Sequence, residues 1–199
     1  VQPGTTAQTF AQPESVVDGV PLRGAFALVA PGEVEQVDMV VREGQHDLQA
    51  VDDVLSLADV GHGDPAAQTA ADSAAAKVGN GAVAHAADVS DEDQVIGMVE
   101  GCVNAFGGLD KLVANAGVVH FAPLTETTVE DFDRVIRINL RGAWLCTKHA
   151  APRMIERGGG TITIVSSIGG LKGSAKLGAY AVSKAADFGL ARSLAVELG

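Results

Sequence analysis

Short apolar runs recur along the chain at intervals that predict buried strands. The clearest is Thr161-Ile162-Thr163-Ile164-Val165, which is rich in β-branched residues and indicates a central strand. Residues 82–89 and 109–116 are two more such runs. Near the start, Phe26-Ala27-Leu28-Val29-Ala30 predicts a fourth strand, which Pro31-Gly32 would end.

Between two of these runs, apolar residues recur at three- and four-residue spacing, which predicts an amphipathic helix after Ser90. We expect Ser90 to cap this helix and the acidic residues that follow it to lie at its positive end. Gly107-Gly108 would end it. Its expected apolar face consists of Val95, Met98, Val99, Cys102, Val103 and Phe106.

Helices are predicted over residues 128–139 and 140–157 as well, with a break at Asn139 between them, and over residues 179–198. Strand and helix therefore alternate, which is the order of a parallel sheet covered on both faces. We expect a doubly wound, three-layer α/β fold whose ligands bind at the carboxyl ends of the strands. The polar residues at those ends are Asp88, Asn115 and Ser166-Ser167.

The first third of the chain has a weaker pattern. Residues 1–24 are rich in Gln, Thr and Pro without periodicity, which predicts an irregular extension. Residues 49–60 fit a helix or a strand, and residues 61–65 predict a loop. Residues 1–72 also carry 12 of the 25 acidic residues but two of the 14 basic ones.

Composition narrows the class of protein. With 199 residues, of which 47% are hydrophobic, the chain can form one domain with its own core. The net charge of −11 disfavours nucleic acid and anionic membranes as partners. Cys102 and Cys146 are too few for a disulfide framework and suit a reducing compartment. With no apolar run near the ~20 residues of a membrane helix, and no basic residue before Arg23, we expect a cytoplasmic protein.

Tyr180, the single tyrosine, and Lys184 form the first candidate for chemistry. Four residues apart in a predicted helix, their side chains share one face. A neighbouring ammonium favours the phenolate form, so such a tyrosine can exchange a proton with an alcohol or carbonyl. Ser167, 13 residues earlier at the end of a strand, could hold the same substrate oxygen. The alternative for the pair in isolation is a surface tyrosine beside a solvated lysine.

The pair belongs to a series of motifs. They are Ala87-Asp88-Val89-Ser90, Val113-Ala114-Asn115-Ala116-Gly117, Ile138-Asn139-Leu140-Arg141-Gly142, Ile164-Val165-Ser166-Ser167 and Tyr180-Ala181-Val182-Ser183-Lys184. In order and spacing, residues 74–199 resemble the short-chain dehydrogenase/reductase family, and among its members 3-oxoacyl carrier-protein reductases and hydroxysteroid dehydrogenases. The resemblance implies a Rossmann-type fold over residues 25–199, in which residues 25–73 diverge from the family and residues 74–199 follow it.

The resemblance also implies a catalytic role for four residues. Tyr180 would be the general acid and base, and Lys184 would assist it and bind the nicotinamide ribose. Ser167 would orient the substrate carbonyl, and Asn139 would help to hold a proton-relay water. The reaction implied is the interconversion of a secondary alcohol and a ketone by hydride transfer.

The cofactor implied is NAD or NADP. Asp88 and Val89 would line its adenine pocket, while Asn115, Ala116 and Gly117 would let the backbone approach it. We expect no metal site, including at His46 and His62. The resemblance implies a small carbonyl or alcohol substrate, with 3-oxoacyl thioesters and steroid-like carbonyls as first choices, and a homodimer or homotetramer.

Several nearby residues have simpler interpretations. Ser166 is expected to satisfy backbone groups at the strand end, although it lies beside Ser167. His120 is expected to be a loop residue rather than a substrate contact. Trp144 and Cys146 are expected to pack in the interior.

The resemblance fails at the phosphate-binding loop. The family has Thr-Gly-x-x-x-Gly-x-Gly after its first strand, and in that register the glycines become Pro31, Glu35 and Val37, with Gly32 out of phase. Proline lacks an amide donor and glutamate adds a negative charge, so these changes oppose dinucleotide binding. An acidic residue for the ribose hydroxyls could be Asp52 or Asp53, which leaves NAD and NADP open.

Two explanations of this first third remain open: an altered reading frame, or real divergence with loss of cofactor binding. Family members also continue into two further strands and a substrate-covering helical segment, so we expect the fold to be incomplete at the C-terminus. The alternative to an enzyme is therefore a non-catalytic relative or fragment that acts through oligomeric association.

Overall fold

The computed structural model describes residues 25–29, 39–41, 65–78 and 82–199. These residues include the strands β1 Ala25–Val29, β2 Met39–Val41, β3 Val83–Ala86, β4 Lys111–Ala114 and β5 Thr161–Ile164. They include the helices α1 Pro65–Val78, α2 Glu92–Phe106, α3 Val129–Ile136, α4 Ala143–Glu156, α5 Gly169–Lys172 and α6 Gly178–Leu198. A π-helical turn, Arg137–Gly142, joins α3 to α4.

The strands form one sheet in the order β3-β1-β2-β4-β5. β1 pairs with β3 and β4 pairs with β5 in parallel, as the alternating pattern predicts. β2 runs antiparallel to both its neighbours, β1 and β4. Residues 30–38, which connect β1 to β2, are fewer than the dozen or so that a parallel crossover needs. The remaining four strands share one direction, so their carboxyl ends meet at one edge of the sheet.

The start of helix α1 also differs from the sequence prediction. Residues 61–65 were expected to form a loop, but Pro65 begins α1. Proline suits the first position of a helix because the amide it lacks has no partner there. The other expectations for this region, at residues 1–24 and 49–60, lie outside the described residues.

Helix α2 begins one residue later than predicted. Asp91, and not Ser90, is its cap, since the Asp91 side chain accepts hydrogen bonds from the amides of Asp93 and Gln94. The predicted apolar face of α2 is correct, and Val95 is one of its buried residues. At the other end Gly107 adopts φ +74°, and its amide donates to the Val103 carbonyl, as a glycine after a helix commonly does.

The predicted break at Asn139 is a π-helical turn. α3 starts after the cap Thr128, and the chain stays helical through Arg137–Gly142 into α4. Such turns replace the usual hydrogen-bond register over a few residues and often occur at functional sites. Asn139 lies within this turn and is 1% exposed.

The core lies where α4 packs against α2, β4 and the π-helical turn. Cys146 belongs to it, as expected. Trp144, expected to pack inside, is 43% exposed instead and lies beneath the Lys148 ammonium, 5.3 Å from the ring centre. The buried members of the core cluster are Ala87, Val89, Val95, Met98, Val99, Cys102, Leu109, Leu112, Ala116, Val118, Val135, Ile138, Leu145, Cys146, Ala150, Met154 and Ala179.

Candidate active site

The carboxyl ends of β4 and β5 bring two of the predicted motifs side by side. Ala114 pairs with Ile164 at the end of the parallel ladder, and the Val165 amide donates to the Ala114 carbonyl oxygen at 2.9 Å. The residues that follow β4 are Asn115, Ala116 and Gly117, and all three are buried. The residues that follow β5 lead to Ser166 and Ser167.

Asn139 ties the segment after β4 to helix α6. Its Oδ1 accepts from the Val118 amide at 2.8 Å, and its Nδ2 donates to the Val118 carbonyl oxygen at 3.0 Å. The same Nδ2 donates to Ser183 Oγ at 3.0 Å. Ser183 Oγ in turn donates to the Tyr180 carbonyl oxygen at 2.7 Å. Asn139 therefore connects the end of β4 to the turn of α6 that carries Tyr180.

Ser167 and Tyr180 lie against the same residue, Gly169. A Cβ atom placed on Gly169 would be 3.4 Å from Ser167 Oγ and 3.5 Å from Tyr180 Cε1. Ser167 Oγ accepts a hydrogen bond from the Gly169 amide at 3.1 Å. Both side chains are half-buried, so the structure brings the predicted serine and tyrosine together at a point that remains partly open.

Lys184 is the largest fully buried side chain in the described part of the chain, with 2% of its surface exposed. Its Nζ donates to the Val165 carbonyl oxygen at 2.7 Å and lies 3.3 Å from Asp187 Oδ2. The predicted lysine is thus a buried ammonium beside the end of β5. A surface tyrosine with a solvated lysine, the alternative for the isolated pair, is wrong.

Ser166 has the simpler role that was expected of it. Its Oγ donates to the Lys184 carbonyl oxygen at 2.6 Å, which satisfies a backbone group and fastens α6 to the end of β5. Gly170 lies at the same contact, where a Cβ atom would come within 2.7 Å of the Lys184 carbonyl oxygen.

Asp88 and Val89 follow β3 and begin the approach to α2. Asp88 Oδ1 accepts from the Ser90 amide at 2.8 Å, and the Asp88 amide donates to Gln94 Oε1 at 2.8 Å. Val89 is fully buried against Gly142, where a Cβ atom would lie 2.7 Å from Val89 Cγ2. Asp88 is half-buried, and its hydrogen bonds stabilise the turn into α2.

His120 lies on the loop between β4 and α3. Two residues further on, the Ala122 amide donates to the Lys176 carbonyl oxygen at 3.0 Å, just before α6. His120 Nδ1 is 3.7 Å from Asp131 Oδ1, and its Nε2 is buried without a hydrogen-bond partner among the described residues. A loop position is confirmed.

Three residues of the site were not foreseen. Ser183 joins Asn139 to Tyr180, Gly170 allows α5 to touch α6, and Asp187 pairs with Lys184. Burial raises the pKa of the Asp187 carboxyl, an effect that the Lys184 ammonium opposes. The spacing of three residues from Lys184 to Asp187 places both on one helix face, and this signal was present in the sequence.

Other predicted positions lie outside the described residues: Pro31, Gly32, Glu35, Val37, His46, Asp52, Asp53 and His62. Within the described ranges, no group of three or more histidine, cysteine, aspartate or glutamate side chains is arranged to hold a metal ion. Cys102 and Cys146 are both buried thiols. None of the described helices is long and apolar enough to cross a membrane.

Comparison with known proteins identifies the family. The family model for short chain dehydrogenases matches residues 50–199. A short-chain dehydrogenase/reductase of Armillaria gallica is 45% identical over 114 residues, which cover 57% of this chain and 44% of that protein. Dehydrogenase/reductase SDR family member 4 of Sus scrofa is 40% identical over 119 residues, which cover 59% of this chain and 42% of that protein. The matched segments thus span less than half the length of these relatives.

Two solved structures resemble the described fold. An NAD⁺-bound xylitol dehydrogenase has a TM-score of 0.63 at 36% identity, over 65% of this chain and 52% of that one. A 3-ketoacyl-(acyl-carrier-protein) reductase from Brucella melitensis, complexed with NADH, has a TM-score of 0.63 at 33% identity, over 66% of this chain and 56% of that one. These similarities confirm the Rossmann-type α/β fold. Because the family model covers well over half of the residues, the chain belongs to the short-chain dehydrogenase family.

Proposed function

We propose that this chain forms the active site of an NAD- or NADP-dependent oxidoreductase that interconverts a secondary alcohol and a ketone. The observation that carries the proposal is the location of Ser167 and Tyr180 against Gly169, beside the buried ammonium of Lys184. Family membership supports an oxidoreductase. The two similar structures contain NAD⁺ and NADH, which supports a nicotinamide cofactor.

Ser167 is proposed to hold the substrate oxygen. A hydroxyl has one hydrogen to donate and can accept as well. Ser167 Oγ already accepts from the Gly169 amide, which leaves its own O–H to donate to a carbonyl oxygen. That hydrogen bond would orient the carbonyl and stabilise negative charge as it develops on the oxygen.

Tyr180 is proposed to exchange the proton. In the direction of reduction, its hydroxyl donates a proton to the substrate oxygen as the carbonyl carbon gains a hydride. In the direction of oxidation, the phenolate takes that proton back. A bound nicotinamide supplies or accepts the hydride. The half-buried ring is compatible with a substrate that reaches Tyr180 from one side.

Lys184 and Asn139 support Tyr180 in different ways. An ammonium has three N–H groups, and the Val165 carbonyl takes one of them from Lys184. The buried charge favours the phenolate and can bind a ribose hydroxyl. Asn139 uses its side-chain oxygen and nitrogen on Val118 and Ser183, so its side chain acts by positioning. A water held by Asn139 would therefore donate a hydrogen bond to the backbone carbonyl oxygen of Asn139.

The described residues fit the nicotinamide half of a cofactor. Lys184 offers a buried cation, and Asn115, Ala116 and Gly117, which follow β4, are proposed to lie against the cofactor. Asp88 and Val89, at the end of β3, are proposed for the adenine end. The phosphate-binding segment lies in residues 30–38, outside the described residues.

The test is Tyr180→Phe in the purified chain, assayed by NADH and NADPH oxidation with 3-oxoacyl thioester and steroid ketones. We expect turnover to fall about 100-fold or more, because a general acid contributes at least that much. Thermal unfolding and cofactor binding should be unchanged. Ser167→Ala should lower turnover as well, whereas unchanged turnover in Tyr180→Phe would remove Tyr180 from the mechanism.

We also propose that residues 25–199 form one domain. The chain is proposed to assemble into a homodimer or homotetramer in the cytoplasm. The buried thiols of Cys102 and Cys146 suit a reducing compartment. Light scattering tests the oligomer, and cell fractionation tests the location. The non-catalytic alternative predicts an oligomer with no turnover, so a parent chain that reduces ketones would exclude it.

A further inference from the structure

Asp187 is a buried carboxylate to which the proposed reaction assigns no role. Its side chain is 1% exposed, in the middle of α6 and one turn after Lys184. Aspartate is rarely buried to this extent unless it is paired, because the charged form loses its hydration. The burial of the Asp187 side chain therefore requires a compensating partner.

The partner of Asp187 is the ammonium of Lys184. Oδ2 lies 3.3 Å from Nζ, and the two side chains are 1% and 2% exposed. Among the described residues neither Asp187 oxygen accepts a hydrogen bond of good geometry, and an ion pair with Lys184 would compensate a charge on this carboxyl. Such a pair is weakly screened by solvent. Loss of one member would leave the other charge buried and uncompensated.

The geometry limits where the Lys184 ammonium can point. One of its three N–H groups donates to the Val165 carbonyl oxygen at 2.7 Å, and a second is drawn toward Asp187. The third is the one proposed to serve the nicotinamide ribose. A lysine without these two contacts would choose among many rotamers, since its side chain has four flexible bonds.

We propose that Asp187 is a positioning residue that keeps Lys184 charged and fixes the direction of its ammonium at the active site. The proposal rests on the proposed function for Lys184. Asp187 itself touches neither substrate nor cofactor in this scheme. The competing interpretation is a protonated Asp187 that only fills space, in which case Lys184 would not depend on it.

The test compares Asp187→Asn with the control Glu197→Gln, which removes an exposed carboxylate from the same helix. In protein labelled with ¹⁵N-lysine, Lys184 should give an ammonium signal that exchanges slowly with water, assigned by its absence in Lys184→Arg. We expect Asp187→Asn to lose or shift that signal and Glu197→Gln to keep it. An unchanged Lys184 signal in Asp187→Asn would overturn the proposal.

A second measurement covers the case in which Asp187→Asn does not fold. In the parent chain labelled with ¹³C-aspartate, the Asp187 carboxyl carbon should have the chemical shift of a carboxylate at neutral pH. A protonated carboxyl would overturn the proposal. Both measurements are made without cofactor or substrate, so they test Asp187 even if the chain proves inactive.

Activity provides a third readout. If the parent turns over, Asp187→Asn should lower kcat by about tenfold or more while the KM for the ketone changes little, because a misplaced group at the reacting centre is costly. Glu197→Gln should match the parent. A loss of turnover in Tyr180→Phe with full turnover in Asp187→Asn would reject this inference and leave the proposed function intact.

Discussion

Two adjacent glycines determine how closely the active-site residues can approach one another. Gly169 lies against Ser167 Oγ and the Tyr180 ring. A Cβ atom on Gly170 would be 2.6 Å from the Lys184 carbonyl carbon and 2.7 Å from the Ala185 nitrogen. These neighbours are backbone atoms, so they cannot turn away as a flexible side chain could. A side chain at Gly170 would push α5 away from α6 at the backbone of Lys184.

Gly170→Ala should therefore destabilise the chain, by about 1–3 kcal/mol as in other overpacked sites. Gly189→Ala is the matched control, because it lies inside α6 with no atom within 4 Å of an added Cβ. It should stabilise the chain by about 0.5–1 kcal/mol through helix propensity. Urea denaturation measures both. Equal stability of Gly170→Ala and the parent would show that α5 shifts at no cost.

At the residue scale, the sequence was sufficient for residues that chemistry and spacing identify together. The 13-residue step from Ser167 to Tyr180 and the four-residue step to Lys184 selected these residues as candidates, and the structure brings Ser167 and Tyr180 together at Gly169. Ser183 could not be found in this way, because its importance comes from Asn139, 44 residues earlier in the chain. A serine has no periodic or chemical signal that distinguishes this contact from a solvated hydroxyl.

Among the elements, α2 shows how a cap can be displaced by one residue. Ser90 and Asp91 are both good cap residues, and either is compatible with the apolar pattern that follows. The structure selects Asp91, whose Oδ1 accepts from the Asp93 and Gln94 amides at 3.0 and 3.3 Å. Its Oδ2 also accepts from the Gln94 side chain at 3.0 Å.

Asp91→Ala should thus lower the free energy of unfolding by about 1 kcal/mol, the usual cost of a lost cap. Ser90→Ala should change it by less than about 0.5 kcal/mol, since most surface substitutions do. Chemical denaturation of the two variants side by side makes the comparison. A larger loss of unfolding free energy in Ser90→Ala than in Asp91→Ala would show that Ser90 caps the helix, as the sequence predicts.

Helices α2 and α4 are also joined by ion pairs that respond to pH. A hydrogen bond from Lys148 is the largest cause that lowers the pKa of Glu92 below its ordinary value, and a hydrogen bond with His149 lowers this pKa further. The folded state therefore prefers the carboxylate. This contribution is fully present above the ordinary glutamate pKa and is lost as the pH falls through the lower pKa of the folded state.

Glu92→Gln should remove that part of the acid sensitivity. The difference in melting temperature between parent and Glu92→Gln should be greatest near neutral pH and shrink on acidification below about pH 4.5. Asp93→Asn removes the same charge from the same helical turn and controls for the helix dipole. A difference that stays constant from pH 7 to pH 3 would contradict the ion-pair explanation.

The elements that could not be predicted depend on distant contacts. Periodicity predicts that residues 128–157 are helical, but not that Arg137–Gly142 takes a π-helical register. Asn139 in that turn bonds to Val118 and Ser183, which are 21 and 44 residues away. β2 is a similar case, because a strand of three residues is too short to show any period.

At the scale of the whole molecule, alternating strands and helices were enough to predict where the candidate motifs would meet. Parallel strands place their carboxyl ends at one edge of a sheet, and this rule needs no knowledge of the packing. β4 and β5 obey it, and the motifs after them meet as expected. The sequence of residues 30–38, where the family has its phosphate-binding loop, departs from the family.

That segment provides the last prediction, which concerns cofactor affinity. The family register replaces three glycines with Pro31, Glu35 and Val37. Proline removes an amide that could bind phosphate, the glutamate repels it, and valine adds bulk where the backbone should approach. We expect the parent chain to bind NADH or NADPH weakly, because it keeps the residues proposed for the nicotinamide side while these three changes oppose phosphate binding.

The combined variant Pro31→Gly, Glu35→Gly and Val37→Gly should bind the cofactor about tenfold tighter or more in calorimetric titration, a gain of about 1.4 kcal/mol. Val34→Gly is the control, since it adds a glycine to the same segment outside the family positions. Equal gains in both variants would mean that flexibility alone improves binding. No gain in the combined variant would mean that the phosphates are bound by residues other than this loop. A gain specific to the three family positions would instead indicate that the rest of the cofactor site still binds the dinucleotide once the phosphate loop is restored.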